Sequence, residues 1–419
     1  MLTAAGKKIH FIGIGGAGMA PLAGLCADSG CPVSGSDLEL NSKCAVLMAR
    51  GVKISAGHAA ENVPPECAVV VKSSAVPPEN PELLRAQQLG CRILLRGEAL
   101  AEIAAGFQRV AAVSGSHGKS SITAALVQIL LKCGYKPGFM VGAAVKDLAP
   151  WSCGSGKDIF VTEADESDGT HVCLKNYLGI VPNVEDDHAW SVGGKEVLEN
   201  NFRKFAANSR HLVYIASPLT DRLFAAHPRA ERIVEIPENF AGLTGFQAQN
   251  SYLAYRSAVA LGCDPRSALA AAADYPAVER RMTVHLQSEK LMIVEDYAHH
   301  PTEVAKSLEF LRRAYPGYHL KVVFQPHRYA RLERYFADFA RELQAADELL
   351  VVPVFAAWSE SGKVDGEALA AAAGGSYCGG EWQEIAQKTL QELPEKTLIA
   401  VLGAGDINRI IPLMLTKMV

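Results

Sequence analysis

Gly115-Ser116-His117-Gly118-Lys119-Ser120-Ser121 follows an apolar run, Arg109–Val113, and opens a helix-period segment over 120–132. The string G-x-x-G-K-S is a shortened phosphate loop, two residues briefer than G-x-x-x-x-G-K-[ST]. Its chemistry is unchanged. Backbone amides cradle phosphates, the Lys119 ammonium neutralises β/γ charge, and the Ser120 hydroxyl is placed to hold Mg²⁺. A strand before and a helix after is the setting in which a helix N-terminus adds its own partial positive charge.

Outward from this loop, short apolar runs alternate with helix-period segments, the pattern of an α/β protein. Residues 8–14 read as a strand, the glycines at 13, 15, 16 and 18 as a turn, and 20–29 as a helix. Runs at 67–71 and 91–95 continue that unit to about residue 106. After the phosphate loop come strand-like runs at 159–163 and 178–181, with helices over 250–262 and 265–273. A third start near 282 carries runs at 291–294, 320–324, 348–354 and 397–402. No internal repeat interrupts this order. Three α/β domains are the economical division: 1–107, 108–281 and 282–419.

The first unit holds Gly13-Ile14-Gly15-Gly16-Ala17-Gly18, a G-x-G-x-x-G between strand and helix. Such glycines let the backbone approach a pyrophosphate. Asp37, nineteen residues beyond Gly18, stands where a ribose-binding acid would follow the second strand. Alone, the motif reads as a dinucleotide or nucleotide-sugar site, or as a tight strand–helix turn.

Two acidic strings follow strands of the second unit. Glu163-Ala164-Asp165-Glu166-Ser167-Asp168 packs four carboxylates into six residues, which repel one another unless a cation or solvent separates them. A solvated loop is one reading; beside a phosphate loop, Mg²⁺ ligation is the better one, because hard cations take carboxylate oxygens. Asn183-Val184-Glu185-Asp186-Asp187-His188 is the other string. Ligands of open parallel sheets collect at the carboxyl ends of strands, where these three loops are expected to meet. The third unit adds Asp296-Tyr297-Ala298-His299-His300-Pro301 and Phe324-Gln325-Pro326-His327-Arg328-Tyr329-Ala330-Arg331. A His pair could hold zinc, but arginines beside it argue for an anionic substrate.

The 419 residues carry 41 Lys+Arg against 45 Asp+Glu, a formal net charge of −4, with no basic stripe. That argues against a nucleic-acid partner. Apolar runs at 122–131 and 349–358 stop at about half the ~20 residues of a membrane helix, so no membrane is expected. Ten cysteines are scattered without a C-x-x-C pair, which reads as small buried thiols in a reducing cytoplasm. Lys7-Lys8 precede an apolar stretch, but its glycines would break the helix of a signal peptide. A cytoplasmic location is expected.

Together these strings resemble the Mur ligase family, and within it the alanine-adding branch. The likeness runs nearly the whole length: 13–19, 34–37, Gly57-His58, Ser73-Ser74-Ala75, Asn80-Pro81-Glu82, 115–121, 163–168, 183–188, Arg280-Arg281, 296–301, 324–331 and Gly403-Ala404-Gly405-Asp406. It implies a three-domain architecture: a Rossmann-like UDP-binding domain, a central P-loop ATPase domain and a Rossmann-like C-terminal domain. It implies ATP as a substrate, Mg²⁺, and UDP-N-acetylmuramate and L-alanine as the partners joined, in a monomer or homodimer serving peptidoglycan synthesis. Carried over, Lys119, Glu163, His188 and Arg281 are the catalytic set, with Ser120 and Glu163 on one Mg²⁺ and His188 on a second. ATP would meet Gly115, Ser116, His117, Gly118, Lys119, Ser120, Ser121, Gln247, Asn250, Arg281 and Asp296. Gly15, Gly18, Asp37, His58 and Ser74 resemble a UDP pocket, and Tyr297, His299, Arg328 and Arg331 the muramate carboxylate and amino-acid site.

The chain departs from the family in three places. The H-N-x-x-N nucleotide motif falls on Phe246-Gln247-Ala248-Gln249-Asn250, the stretch between His188 and that motif is short, and Ala-Gly-Glu reads Ala357-Trp358-Ser359. The competing readings are a recycling ligase that attaches a ready-made tripeptide to the same sugar nucleotide, a weakly active nucleotide-sugar-binding relative, and a nicotinamide dehydrogenase. The last is favoured only by the first glycine motif.

Overall fold

The computed structural model describes residues 2, 6–149, 151–186, 189–357 and 361–417, the side chains of Trp190 and Ser191 aside. The chain falls into two compact units, Met1–Pro276 and Ala277–Val419. The first carries two main sheets and a small hairpin, the second one sheet.

The first sheet contains β1 (Ile9–Ile12), β2 (Val33–Asp37), β3 (Lys53–Ala56), β4 (Val69–Lys72) and β5 (Arg92–Leu95), all parallel, in the order β3-β2-β1-β4-β5. The order reverses at β1, so the glycine loop that follows β1 opens into the crevice where ligands of doubly wound sheets bind.

The second sheet contains β6 (Arg109–Val113), β7 (Gly138–Met140), β8 (Trp151–Ser152), β9 (Ile159–Glu163), β10 (Asn176–Val181), β11 (Ser209–Ile215) and β12 (Ala230–Ile233). Its order is β12-β11-β10-β6-β9-β7-β8, parallel except for β8. β6 lies between β10 and β9, so the phosphate loop emerges with an acidic string on either side. Val110, Ala111, Ala112 and Val113 are buried, as expected of a central parallel strand covered on both faces. Each Val, Leu or Ile fully buried in this way contributes roughly 1.5–3 kcal/mol. β13 (Asn239–Phe240) and β14 (Leu243–Thr244) form the hairpin, and the helix after it spans Gly245–Ala260, five residues earlier than expected. The motif 246–250 therefore lies in the first turns of a helix.

In the second unit the strands are β15 (Thr283–Gln287), β16 (Leu291–Asp296), β17 (His319–Phe324), β18 (Glu348–Val351), β19 (Ser376–Tyr377) and β20 (Thr397–Leu402), ordered β15-β16-β20-β17-β18-β19. All run parallel except β15 at the edge. Among the described residues, no helix is long and apolar enough to cross a membrane. All ten cysteines are free: Cys26, Cys31, Cys44, Cys67 and Cys263 are buried, whereas Cys173 is exposed against expectation. Burial pushes the Cys67 and Cys263 thiols up to about 12.

Candidate active site

The phosphate loop leaves β6 through Ser114 and turns into the helix Lys119–Lys132. Gly118 caps that helix at φ +85°, a left-handed conformation that disfavours side chains, and a Cβ there would stand 3.1 Å from Asn250 Oδ1. The loop is latched to the residues after β10. His117 N donates to Asn183 Oδ1 (2.9 Å), Asn183 Nδ2 returns a bond to His117 O (3.2 Å), and Glu185 N donates to Ser116 Oγ (2.8 Å).

Lys119 Nζ donates to Gly115 O (2.7 Å) and to both carboxylate oxygens of Glu166 (3.0 and 2.9 Å). Glu166 is fully buried, so its string is no solvated loop. Burial raises the Glu166 carboxyl to about 7, and Lys119 holds it from rising further. Burial would lower the Lys119 ammonium, but Glu166, Asp165 and Glu163 outweigh that and push it up. Lys119 therefore stays charged.

Ser120 Oγ donates to Glu163 Oε2 (2.9 Å), and Gly142 N donates to Glu163 Oε1 (2.6 Å). Burial raises the Glu163 carboxyl despite these two bonds. Two hard oxygen donors stand together here, on a carboxylate whose surroundings leave its charge under-compensated. That arrangement fits a divalent cation. His188, the other expected ligand, lies outside the described residues.

Arg96, in the first turn of the helix Arg96–Ala104 after β5, donates to Asp168 and Asp165 of the same acidic string. Burial would raise Asp165, but Lys119 and Arg96 hold it well below the usual carboxylate range. A Cβ on Gly18 would run into the Arg96 guanidinium, so this arginine also touches the glycine loop. Within that loop Asp37 Oδ2 accepts from Gly15 N (2.7 Å), so the expected ribose acid spends one oxygen closing the turn. Ser74 is exposed on the turn after β4, and His58 stands beside Ser36 (Nδ1 to Oγ, 2.9 Å). Asn250 is buried, with Nδ2 3.2 Å from Tyr275 Oη; Gln247 is half-buried one helical turn earlier.

In the second unit the loops after β16, β17 and β20 come together. The Tyr297 ring lies under both Arg280 and Arg281, 5.0 and 5.1 Å from its centroid. Arg281 also meets Glu303 (3.5 Å), which accepts from His299 N (3.0 Å). The His299 ring contacts Tyr297 and His327, and Arg331 Nη1 lies 3.1 Å from His327 Nδ1. Arg328 is held at φ +67° and Arg280 at φ +58°, strained backbone of the kind that clusters at functional sites. Asp296 is buried, which raises its carboxyl, and it accepts from Met282 N, Ala298 N and Ser307 Oγ. Those bonds give it a structural task besides the nucleotide contact expected of it.

Four residues escaped the sequence reading as site members: Glu166, Arg96, Asn183 and His327. Glu166, Asn183 and His327 lie inside strings already singled out. Arg96 carried no local signal.

Comparison with known proteins decides the family. Residues 8–108 match "Mur ligase family, catalytic domain" and residues 280–405 match "Mur ligase, glutamate ligase domain". The UDP-N-acetylmuramate–L-alanine ligase of Clavibacter sepedonicus is 33% identical, with 97% of this chain and 92% of that protein covered. The chain belongs to the Mur ligase family. This is a family of ATP-dependent ligases. The enzyme of the same name from Aquifex aeolicus is 32% identical, with 96% of each chain covered. Among solved structures, the UDP-N-acetylmuramate–alanine ligase of Thermotoga maritima shares the fold at a TM-score of 0.84 and 24% identity, covering 98% of this chain and 99% of that one. A murein peptide ligase from Psychrobacter arcticus shares it at 0.72 and 20%, with 99% of both chains covered. The three-sheet α/β architecture is thus that of the family.

Proposed function

We propose that this protein joins L-alanine to UDP-N-acetylmuramate at the expense of ATP. The observation that carries the reading is the Lys119–Glu166 and Ser120–Glu163 arrangement at adjoining strand ends, in a chain alike end to end to L-alanine ligases. The muramate carboxylate attacks the γ-phosphate, giving an acyl phosphate and ADP. The alanine amine then attacks that carbonyl carbon, and inorganic phosphate leaves. Lys119 and the loop amides stabilise the charge on the transferring phosphoryl group, which is where most catalysis in such reactions lies. Mg²⁺, when bound, supplies further charge neutralisation on the phosphates; Ser120 and Glu163 would hold it, with His188 as the ligand of a second ion. No enzyme nucleophile takes part.

The remaining assignments belong to the same proposal. Residues 1–107 bind the sugar nucleotide through Gly15, Gly18, Asp37, His58 and Ser74. Residues 108–281 bind ATP, with Gln247, Asn250 and Arg281 beside it, and 282–419 contribute Asp296, Tyr297, His299, Arg328 and Arg331. A cytoplasmic location belongs to the same reading. Phosphate release from ATP with UDP-N-acetylmuramate tests the reading, with L-alanine, glycine, L-serine or the tripeptide offered in turn. L-Alanine should give the fastest turnover, and faster turnover with the tripeptide would overturn the assignment.

A further inference from the structure

Glu82 opens the helix Pro81–Gln88 behind its cap Asn80 and is fully buried. Its carboxylate takes four donors. Oε1 accepts from Ala59 N (3.2 Å) and Asn62 Nδ2 (2.7 Å); Oε2 accepts from Ser36 Oγ (2.6 Å) and His10 Nε2 (3.1 Å). Burial alone would raise this carboxyl, but the bonds from His10, Ser36 and Asn62 outweigh it and hold it at about 2. Glu82 is therefore ionised at neutral pH, and an ionised carboxylate only accepts.

A proton inventory follows from that. Ser36 has one hydroxyl proton, and it is committed to Glu82. Toward His58, whose Nδ1 lies 2.9 Å away, Ser36 Oγ can therefore only accept. His58 must carry a proton on Nδ1, which in the neutral ring leaves Nε2 as a bare lone pair. The ring reaches the surface, with 16% of the side chain exposed. Its loop is pinned by the same glutamate at Ala59 and Asn62, and Asn62 Nδ2 also donates to Gly57 O (3.1 Å).

We propose that Glu82 is a positioning residue of the sugar-nucleotide pocket: through Ser36 it presents His58 Nε2 as an acceptor to a hydrogen-bond donor on the nucleoside. A ribose hydroxyl and the uracil N3–H both offer that donor, whereas a diphosphate does not. The inference rests on reading the β1–β5 sheet as the UDP-binding part of the molecule.

Long-range proton–nitrogen spectra of the full-length protein, recorded where the ring is neutral, read the tautomer directly. His58 should be protonated at Nδ1 and bare at Nε2. Ser36→Ala, which leaves Glu82 its other three donors and leaves His58 Nδ1 only the longer 3.6 Å approach to Glu82 Oε1, should weaken that preference even if Glu82→Gln fails to fold. Binding supplies the second readout. Wild type should bind either the N3-methyl or the dideoxy analogue of UDP about two- to twelvefold more weakly than UDP, the span of one lost hydrogen bond; which analogue suffers names the donor. Ser36→Ala should shrink that ratio while leaving the KM for ATP unchanged, which a merely structural tie would not do. A proton on His58 Nε2, or equal affinity for all three nucleotides, overturns the inference and leaves the ligase reading standing. Failure of the wild type to bind UDP overturns both.

Discussion

Arg96 donates from Nε at 2.8 Å and from Nη2 at 2.6 Å to one oxygen of Asp168, Oδ2, seventy-two residues away in sequence. The bond joins the helix after β5 to the acidic string after β9, and so ties the glycine-loop sheet to the loop that holds Lys119. Only 15% of the Arg96 side chain and 16% of the Asp168 side chain are exposed.

Removing one partner of a buried pair costs about 3–5 kcal/mol, because the other charge is left uncompensated. Arg96→Ala should therefore lower the unfolding free energy by about that amount and raise the KM for ATP, as the loop bearing Glu163 and Glu166 loosens. Arg96→Lys keeps the charge but loses the planar fork, and should fall between. Urea denaturation and ATP titration of the two variants measure both effects. A change within about 0.5 kcal/mol, typical of plain surface positions, would show that the pair matters little.

Lys119→Ala should abolish ATP-driven ligation while leaving affinity for UDP-N-acetylmuramate intact, because the glycine loop proposed to bind the sugar nucleotide follows β1 and the phosphate loop follows β6. Isothermal titration with the sugar nucleotide, set beside a phosphate-release assay, separates the two. Near-normal turnover in this variant would sink the phosphate-loop assignment.

Glu163→Gln keeps the shape and a hydrogen-bonding oxygen near Ser120 and Gly142, but removes the charge. The Mg²⁺ concentration needed for half-maximal activity should rise about tenfold or more, since losing even a residue that only supports a metal ligand costs about 10–100-fold. His188→Ala should raise it too. An unchanged requirement in both variants would count against this as the metal site.

The Glu166 carboxyl, at an ordinary value of 4.5 when unfolded, is raised by burial to about 7 in the folded protein. The native state then binds the proton more tightly. Its contribution to stability falls as pH rises from about 4.5 to about 7, and no further above that. Glu166→Gln cannot titrate, so the stability of the variant relative to wild type should improve across that window. Chemical denaturation on either side of it gives the comparison; a difference that stays constant with pH would contradict the shift.

The parts of this fold that can be read along the chain are those whose cause is local. β6, β9 and β20 have the bounds expected of them, because a parallel strand covered on both faces must be a continuous apolar run. β3 and β15 are edge strands, and Lys53-Ile54-Ser55-Ala56 and Thr283-Val284-His285-Leu286-Gln287 lack such a run. The phosphate loop is legible because its chemistry sits within seven consecutive residues. Its charge partner Glu166 is forty-seven residues from Lys119, and Glu82 is forty-six from Ser36. Such pairs exist only once a sheet order brings their loops together, and one sequence does not state that order.

The claim most open to direct test is the acyl phosphate. UDP-N-acetylmuramate labelled with oxygen-18 in its carboxylate should transfer one labelled oxygen to each inorganic phosphate released during ligation with L-alanine. Phosphate free of the label, formed while the amide product accumulates, would contradict the account.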